Sequence, residues 1–523
     1  QKLADWGRVR IGGLDYDREP PRFLHLSNEP NNLRISGGQR TRLDLDSYVD
    51  HVIDMMELHW GLEPASVLLS ITGGALDFEL SPMLQSAFSK GLAKAAHATT
   101  ALVVTGGTNT GVMRLTGRAL ADFDAKVQCI GIATWGVING RERLVGSHDV
   151  DNVVAFDRTA SNSTKGANLE PNHTHFLLVD DQKEQTFGGE ITFRFALEAK
   201  YCVKKRVPRV LLVVNGGPQT LRSVYEAVNN ECPVVLIADS GGVANMLHKY
   251  MLTARDPNSP HYEEGAIPDD VKTKYTSEQK ETLKEIVQRD MKNFAERGFY
   301  LISSFALGES SSELDLHILN AIIGDTPEPK TRLKLAVQWN RVDVVERVLA
   351  KDFLNEGGMQ FDSPAAVSDA MRDAMQVAIE HRHVDIAKVL LTAANQLSQS
   401  RGASFEIKID FLSLYEVAMN QPANEIFTAN NRLKESLHSP EAQQAMGQPT
   451  NVALYTSVLG EFLDEYVPHM KERLKTLCDK AQLRELRDRS SPKMHVSPAA
   501  GPSSAHSELR QGLPSSYLAP PMS

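Results

Sequence analysis

One local pattern occurs four times in this chain: a short run of β-branched and aliphatic residues ends in two adjacent glycines, and a stretch with helical spacing follows. The four pairs are Gly73-Gly74, Gly106-Gly107, Gly216-Gly217 and Gly241-Gly242. Strand, glycine turn and helix in this order are typical of an α/β fold with a doubly wound parallel sheet, whose strand C-termini open into one crevice. Glycine accepts positive φ and lets a phosphate approach the N–H groups at a helix N-terminus. The pattern therefore predicts a nucleotide-binding protein.

The α/β pattern continues from Val67 to about Ser304. The runs of apolar residues predict strands at 67–72, 101–105, 128–133, 174–180, 209–215, 234–239 and 298–303. Helical periodicity predicts helices at 82–97, 110–125, 190–204, 219–230, 242–252 and 277–296. We assign residues 65–325 to this nucleotide-sensing domain, and residues 1–64 to an N-terminal lead-in that packs on the sheet.

After Glu328 the pattern is helical only, and it contains an internal repeat. Residues 333–349 align with residues 375–391, an offset of 42 (375 minus 333). This offset lies in the range of helical-pair solenoids, which serve as interaction and spacer modules. We assign residues 326–489 to a helical repeat domain. Residues 490–523 are rich in Ser, Pro and Ala, which predicts a disordered tail.

Composition excludes several classes of protein. The formal net charge of -10 argues against nucleic acid as the main partner, because binding phosphates requires a basic excess. The four cysteines are scattered without metal-ligand spacing, which favours reduced thiols. No apolar stretch approaches the roughly 18–20 residues needed to cross a bilayer. Because the chain begins with Gln1, we expect a fragment or a processed product, with any membrane segment beyond Ser523.

Two further side-chain groups have alternative interpretations. His173 and His175 lie two residues apart, which suits either metal ligation or polar caps at the start of a strand. We favour the polar caps, because no third ligand has a recognised spacing, and we predict no metal site. Arg194 is either an ordinary arginine that reaches solvent or a residue aimed at phosphate.

Several segments resemble the N-terminal cytoplasmic regions of melastatin-type transient receptor potential (TRPM) cation channels. They are Leu-Ser-Ile-Thr-Gly-Gly-Ala at 69–75, Val-Thr-Gly-Gly-Thr-Asn-Thr-Gly-Val-Met at 104–113, Asn-His-Thr-His-Phe-Leu-Leu-Val-Asp-Asp at 172–181, Val-Val-Asn-Gly-Gly-Pro-Gln-Thr-Leu at 213–221 and Trp-Asn-Arg-Val-Asp at 339–343. The resemblance covers roughly residues 1–475 and implies a Rossmann-like SLOG module followed by ankyrin-like helical pairs. It also implies a regulatory and assembly region on the cytoplasmic side of a calcium-permeable, homotetrameric channel. This region would be connected to the membrane only through segments outside this chain.

In the ADP-ribose-gated member of the family this module is a nucleotide receptor. Its motif Tyr-Gly-x-Glu-Ile-x-x-Arg falls on residues 187–194, which places a stacking ring at Phe187 and a phosphate-binding cation at Arg194. A second family arginine is replaced by Gly242, and loss of a charged contact of about 1.5–3 kcal/mol weakens affinity by ten-fold or more. We expect ADP-ribose or a related nucleotide as the ligand, and no required cofactor. The expected ligand-contacting residues are Gly73, Gly74, Thr105, Gly106, Gly107, Thr108, Asn109, Phe187, Arg194, Gly216, Gly217 and Thr220.

Two alternatives remain beside the ligand-sensing interpretation. The first is an enzyme, because nucleotide phosphoribohydrolases of the same superfamily use a Pro-Gly-Gly-x-Gly-Thr-x-x-Glu motif. Here Gln219 replaces the third glycine and Ser223 replaces the glutamate, so only Glu226, three residues further on, could substitute. We therefore predict no catalytic residue. The second alternative is a structural assembly module whose crevice binds nothing.

Overall fold

A computed structural model of the protein describes residues 5–11, 19–26, 45–123, 127–156, 166–265, 275–307, 313–354, 363–381 and 383–401. All of them belong to one compact unit, Gln1–Leu414. The repeat helices expected beyond residue 401 and the tail predicted at 490–523 lie outside the described residues.

Within the described ranges, ten strands form a single sheet. They are β1 (Trp6–Ile11), β2 (Arg22–Leu26), β3 (Leu68–Gly73), β4 (Leu102–Thr105), β5 (Gln128–Thr134), β6 (His148–Phe156), β7 (His175–Val179), β8 (Arg209–Val214), β9 (Val234–Ile237) and β10 (Ile302–Phe305). Their order across the sheet is β10-β9-β8-β3-β4-β5-β7-β2-β1-β6. The α/β prediction is confirmed, but the expected all-parallel sheet is mixed, because β1 and β2 pair antiparallel. Antiparallel pairing suits two strands that follow each other closely in the chain.

Twelve helices accompany the sheet within the described residues. The first seven are α1 (Leu45–Leu58), α2 (Pro82–Ala98), α3 (Gly111–Asp122), α4 (Ile191–Lys205), α5 (Pro218–Asn229), α6 (Gly242–Arg255) and α7 (Ser277–Arg297). The remaining five are α8 (Leu314–Asp325), α9 (Pro329–Gln338), α10 (Val342–Val348), α11 (Pro364–Glu380) and α12 (Val384–Arg401). The N-terminal segment thus supplies two strands of the sheet as well as α1, which packs on it.

The central strands are covered on both faces. Every residue of β4 and β9 is buried, and consecutive side chains of a strand point to opposite faces. One apolar cluster joins α1 and α4 to the sheet, and a second joins α5, α6 and α7 to β8, β9 and β10. Burial on both faces is why these strands are continuous apolar runs in the sequence rather than alternating ones.

The described residues after β10 are helical, and α9 to α12 form two consecutive helix pairs. Equivalent positions of the two repeats are buried alike: Ala336 and Ala378, and likewise Val344 and Ile386. His383 Nδ1 lies 2.8 Å from the carbonyl oxygen of Val337, so the second pair contacts the first through a polar bond as well. Among the described helices, none has both the length and the apolar character that a bilayer-spanning segment needs.

Candidate functional site

The crevice lies where β3 and β8 are neighbours. From β3 the chain continues to β4 on one side, and from β8 it continues to β9 on the other side. In open α/β sheets such a reversal of strand order leaves a cleft outside the carboxyl ends of the two strands. The turns at Gly73-Gly74 and Gly216-Gly217 follow these two strands directly, so the structure brings together two of the predicted glycine turns.

Backbone hydrogen bonds join these turns to each other and to α3 and α6, the helices that follow the neighbouring strands β4 and β9. Gly74 N donates to Val214 O at 3.0 Å, and Gly74 O accepts from Val112 N at the start of α3 at 2.9 Å. Gly216 O accepts from Val243 N at the start of α6 at 3.0 Å. The floor of the crevice is therefore a ring of backbone segments that these hydrogen bonds hold together.

Thr220 closes this ring with its side chain. Its hydroxyl donates to Gly73 O at 3.1 Å and accepts from Gly217 N at 3.3 Å. Thr220 also occupies the third position of α5, and its bond to Gly217 N is one half of a capping box, since glycine has no side chain to supply the other half. Thr220, predicted as a ligand residue, therefore joins the β8 turn to the β3 turn.

The glycines of the crevice fall into two groups. At Gly73 a Cβ atom would lie 1.9 Å from Val214 O, and at Gly216, with φ +106°, it would lie 2.5 Å from Thr220 Oγ1. These two glycines are required by the packing of the turns. At Gly217 nothing lies within 4 Å of the Cβ position, and at Gly106 the nearest contact is Met113 at 3.6 Å. Gly106 and Gly217 therefore leave room that the fold itself does not use.

The predicted turn after β4 contains Thr105, Gly106, Gly107, Thr108 and Asn109, next to the β3 turn in the sheet. Thr105, Thr108 and Asn109 are buried. Gly107 has φ +69°, and a Cβ atom added there would lie 2.8 Å from the Cα of Gly131 in β5. The turn thus borders the crevice and is held tightly from the β5 side.

Arg194 lies beneath the crevice and not in it. Its side chain, on α4, is 6% exposed, and its Nε donates to Glu198 Oε1 at 2.8 Å. Its Nη2 contacts Ser70 Oγ at 2.8 Å and the carbonyl oxygens of Ile71 and Val104 at 3.0 Å. The guanidinium therefore joins the ends of β3 and β4, and among the described residues its Nη1 alone has no hydrogen-bond partner.

Phe187 lies in the loop that leads to α4, outside the ring of glycine turns. It is partly buried and packs against the apolar cluster that includes Val9, Trp135 and Leu178. The next residue, Gly188, approaches α5, since its Cβ position lies 2.9 Å from Gln219 Oε1. This loop therefore reaches the start of α5 and forms one rim of the crevice beside the β8 turn.

Two residues outside the predicted set, Asn215 and Asp77, help to build the crevice. Asn215, with φ +59°, receives a 2.6 Å bond from Gly216 N at its Oδ1 and donates through Nδ2 to Ser240 O at 2.7 Å. Asp77 accepts from Gly111 N at 3.2 Å and pairs with Arg114 at 2.7 Å. An asparagine between a strand end and a glycine pair is the available signal for Asn215, because Asn is enriched at positive φ.

The histidine pair is divided between two surroundings. His173 is buried against Glu170 and Thr105, whereas the ring of His175 lies 4.7 Å from that of Trp60. The two rings therefore share no ligand. No cluster of three or more metal-binding side chains occurs in the described part of the chain.

Glu226, the residue named for the enzyme alternative, lies about 13 Å along α5 from Gly217 by the rise of a helix. At the motif position itself, Ser223 is buried, and its hydroxyl donates to Gln219 O at 3.2 Å. No carboxylate of α5 lies in its first turn.

Comparison with known proteins gives a consistent family. The family model described as "SLOG in TRPM" matches residues 38–292. The transient receptor potential cation channel subfamily M member-like 2 of Nematostella vectensis is 30% identical over 470 residues, which cover 83% of this chain and 28% of that protein. Subfamily M member 2 of Rattus norvegicus is 32% identical over 356 residues, covering 60% of this chain and 22% of that protein.

Subfamily M member 6 of Homo sapiens is 31% identical over 373 residues, covering 67% of this chain and 17% of that protein. The chain thus spans between about a sixth and just over a quarter of the length of these relatives. The glycine turns, the mixed sheet and these matches agree: the chain belongs to the TRPM family and represents its N-terminal region with the SLOG domain.

Proposed function

We propose that this chain is the regulatory and assembly region of a TRPM cation channel, and that its crevice binds a nucleotide of the ADP-ribose class. The region would face the cytoplasm, and subunits of a homotetramer would be its partners. Calcium permeability and the pore would belong to parts of the protein outside this chain. A ligand would act on the channel only through a difference in its affinity for the channel states.

One observation carries the ligand proposal: two glycine turns meet at the reversal of strand order, and Gly217 faces space that the fold does not fill. A dinucleotide pyrophosphate typically occupies this place in doubly wound folds, against the N-terminus of a helix. Gly217 is the N-cap of α5, a helix of 12 residues. The pyrophosphate would lie over Gly217, with Gly106 on the β4 side.

Arg194 would contribute from below. Its Nε and Nη2 are committed to Glu198 and to the ends of β3 and β4, so only Nη1 would remain for a phosphate. Phe187 would offer an aromatic surface on the rim formed by the loop that leads to α4. Truncation of Arg194 would also leave the Glu198 carboxylate buried without a cation, with only the Ser70 hydroxyl bonded to it among the described residues, so this substitution cannot separate binding from folding.

A substitution at Gly217 separates the two. Gly217→Asp adds a carboxylate where the structure has room, and φ -126° suits any residue. Asn258→Asp is the matched control, since it adds the same charge at an exposed site beyond the C-terminus of α6, about 20 Å along that helix from the crevice. Both variants should melt near the wild-type temperature.

The test is calorimetric titration of ADP-ribose into the full chain and both variants, with AMP and ribose 5-phosphate as comparison ligands. We expect saturable binding by the wild type and by Asn258→Asp, and at least ten-fold weaker binding by Gly217→Asp. Absence of saturable heat for the wild type would refute the ligand proposal and support a structural assembly module. Release of ribose phosphate from AMP, lost in Glu226→Gln, would instead support the phosphoribohydrolase.

A further inference from the structure

A buried chain of polar groups lies directly behind the turn after β4. Glu170 Oε2 is 2.7 Å from His173 Nδ1, and His173 Nε2 is 2.6 Å from Thr105 Oγ1. All three residues are at most 2% exposed. We call this set the Glu170–His173–Thr105 relay.

The relay fixes the turn through both backbone polar groups of one residue, Gly107. Gly107 N donates to Thr105 Oγ1 at 2.9 Å, and Gly107 O accepts from Glu170 N at 2.9 Å. Asn109 N donates to Asn168 O at 2.7 Å, which extends the same contact by two residues. The segment 168–173 thus holds two of the predicted ligand residues, Gly107 and Asn109, by their backbone, and a third, Thr105, by its side chain.

The Glu170 carboxylate is satisfied on both oxygens. Oε2 accepts from Asn172 N at 2.8 Å in addition to its contact with His173, and Oε1 accepts from Asn172 Nδ2 at 2.9 Å. It fits there only because α3 carries Gly117, whose Cβ position lies 2.2 Å from Oε2. A buried carboxylate destabilises a protein unless it is paired. The space left by Gly117 is therefore filled by a carboxylate whose partners are all in place.

His173 is the positive partner of this carboxylate. Burial alone would lower the pKa of His173, but Cys129 of β5 and Glu170 outweigh it and raise that pKa to about 10. Besides these two groups, the ring faces Thr105 of β4 and stacks 5.8 Å from Phe176. At neutral pH both ring nitrogens therefore donate, one to Glu170 and one to Thr105.

We propose that Glu170 and His173 are positioning residues of the nucleotide site, which act through Thr105 to hold the turn Thr105–Asn109 in its ligand-binding shape. The inference rests on the proposed function of the crevice. The relay itself is buried, so it acts on the ligand only through the Gly106-Gly107 backbone. The charge on the relay is what keeps this turn rigid across the neutral pH range.

The test compares Glu170→Gln with Asp290→Asn in the full chain. Glu170→Gln keeps the shape and an acceptor oxygen but removes the charge. Asp290→Asn is the matched control, because Asp290 is also a fully buried carboxylate, paired with Arg255. It binds Ile302 N of β10, four strand positions or about 19 Å from β4.

Amide hydrogen exchange without ligand measures the hold on the turn. We expect at least ten-fold faster exchange across residues 105–109 in Glu170→Gln, and wild-type exchange there in Asp290→Asn. Unchanged exchange in Glu170→Gln would overturn the inference, whether or not the wild type binds a nucleotide. Failure of the wild type to bind would refute the proposed function alone.

ADP-ribose titration between pH 6 and pH 8.5 measures the effect on the site. We expect a flat affinity in the wild type, because His173 stays charged throughout. Glu170→Gln removes one of the groups that raise the pKa of His173, so it should bind more weakly and lose affinity further toward the alkaline end of the range. A looser turn with unchanged affinity and an unchanged pH profile would show that the relay is structural only. Gly117→Ala, which pushes against Glu170 from α3, should reproduce the weaker binding.

Discussion

At the scale of single residues, Gly242 stands where the resemblance to TRPM channels implies a second ligand arginine. The backbone of this chain does not admit an arginine there. Gly242 has φ +55°, and its Cβ position lies 2.4 Å from Gly216 O and 2.5 Å from Asn215 Oδ1. The missing cation is therefore linked to the close packing of α6 on the β8 turn.

We predict that Gly242→Arg destabilises the protein and does not strengthen ADP-ribose binding. The positive φ and the backbone contact should lower the free energy of unfolding by about 1–3 kcal/mol. Urea denaturation and calorimetric titration of the variant measure the two effects. Gly217→Arg is the control, since the same side chain there meets open space and should fold normally. A stable Gly242→Arg with tighter binding would show that the turn can adopt a different backbone.

The two histidines predict opposite dependences of stability on pH. Burial and then Arg22 lower the pKa of His175 to about 3, so its contribution is complete above about pH 6.5 and is lost as pH falls toward 3. His173, with its pKa raised to about 10, contributes fully below about pH 6.5 and loses this contribution as pH rises toward 10. Each group changes the unfolding free energy by up to about 1.4 kcal/mol per pH unit.

Urea denaturation from pH 5 to pH 9 tests this pair. His175→Gln should flatten the acid side of the stability profile, and His173→Gln should flatten the alkaline side. If both variants keep the wild-type slopes on both sides, the assigned pKa shifts are wrong.

At the scale of elements, the sequence predicts best where burial is complete. The strands β3, β4, β5, β7, β8 and β9 lie within two or three residues of their predicted bounds at each end. The strands β1, β2 and β6 were missed, because β1 and β2 alternate polar and apolar residues and β6 is an edge strand with charged residues. The strand predicted at 298–303 begins instead at Ile302, since Gly298 closes α7 in a left-handed conformation.

The candidate site was predictable only as far as its turns. Paired glycines after apolar runs placed Gly73, Gly106 and Gly216 at strand ends. The sequence could not show that Arg194 donates into the sheet, because its partners Ser70 and Val104 lie 124 and 90 residues away. The relay was hidden for the same reason, since Thr105 and Glu170 meet only through the parallel pairing of distant strands.

Close packing against α2 fixes the position of α8, the first helix after the last strand of the sheet. At Gly91 in α2 a Cβ atom would lie 2.7 Å from Leu314 Cβ in α8. We predict that Gly91→Leu destabilises the protein by about 1–3 kcal/mol through overpacking, less the gain in helix propensity of about 1 kcal/mol. Thermal melting measures the change. Lys90→Leu, which places the same side chain at an exposed neighbouring position, should have little effect. Equal melting temperatures for both variants would show that α8 can shift away from α2.

At the scale of the whole molecule, a sheet domain is followed by helical pairs. The chain spans 28% or less of the length of the relatives named above. Ligand binding and transmission along the chain are therefore proposed for different parts of one polypeptide. The contact of α8 with α2 connects the two, because α8 precedes the first helical pair directly. The net charge of -10 makes a cationic or protein partner more suitable for the outer surface than a nucleic acid.

The most direct test of the central claim is an experimental structure of the full chain with ADP-ribose at saturating concentration. We predict density for the pyrophosphate over Gly217, between the turns that follow β3 and β8, with Gly106 on its other side and the Glu170–His173–Thr105 relay unchanged. Density for the ligand at any other surface, or an empty crevice at a concentration where calorimetry shows saturation, would contradict it.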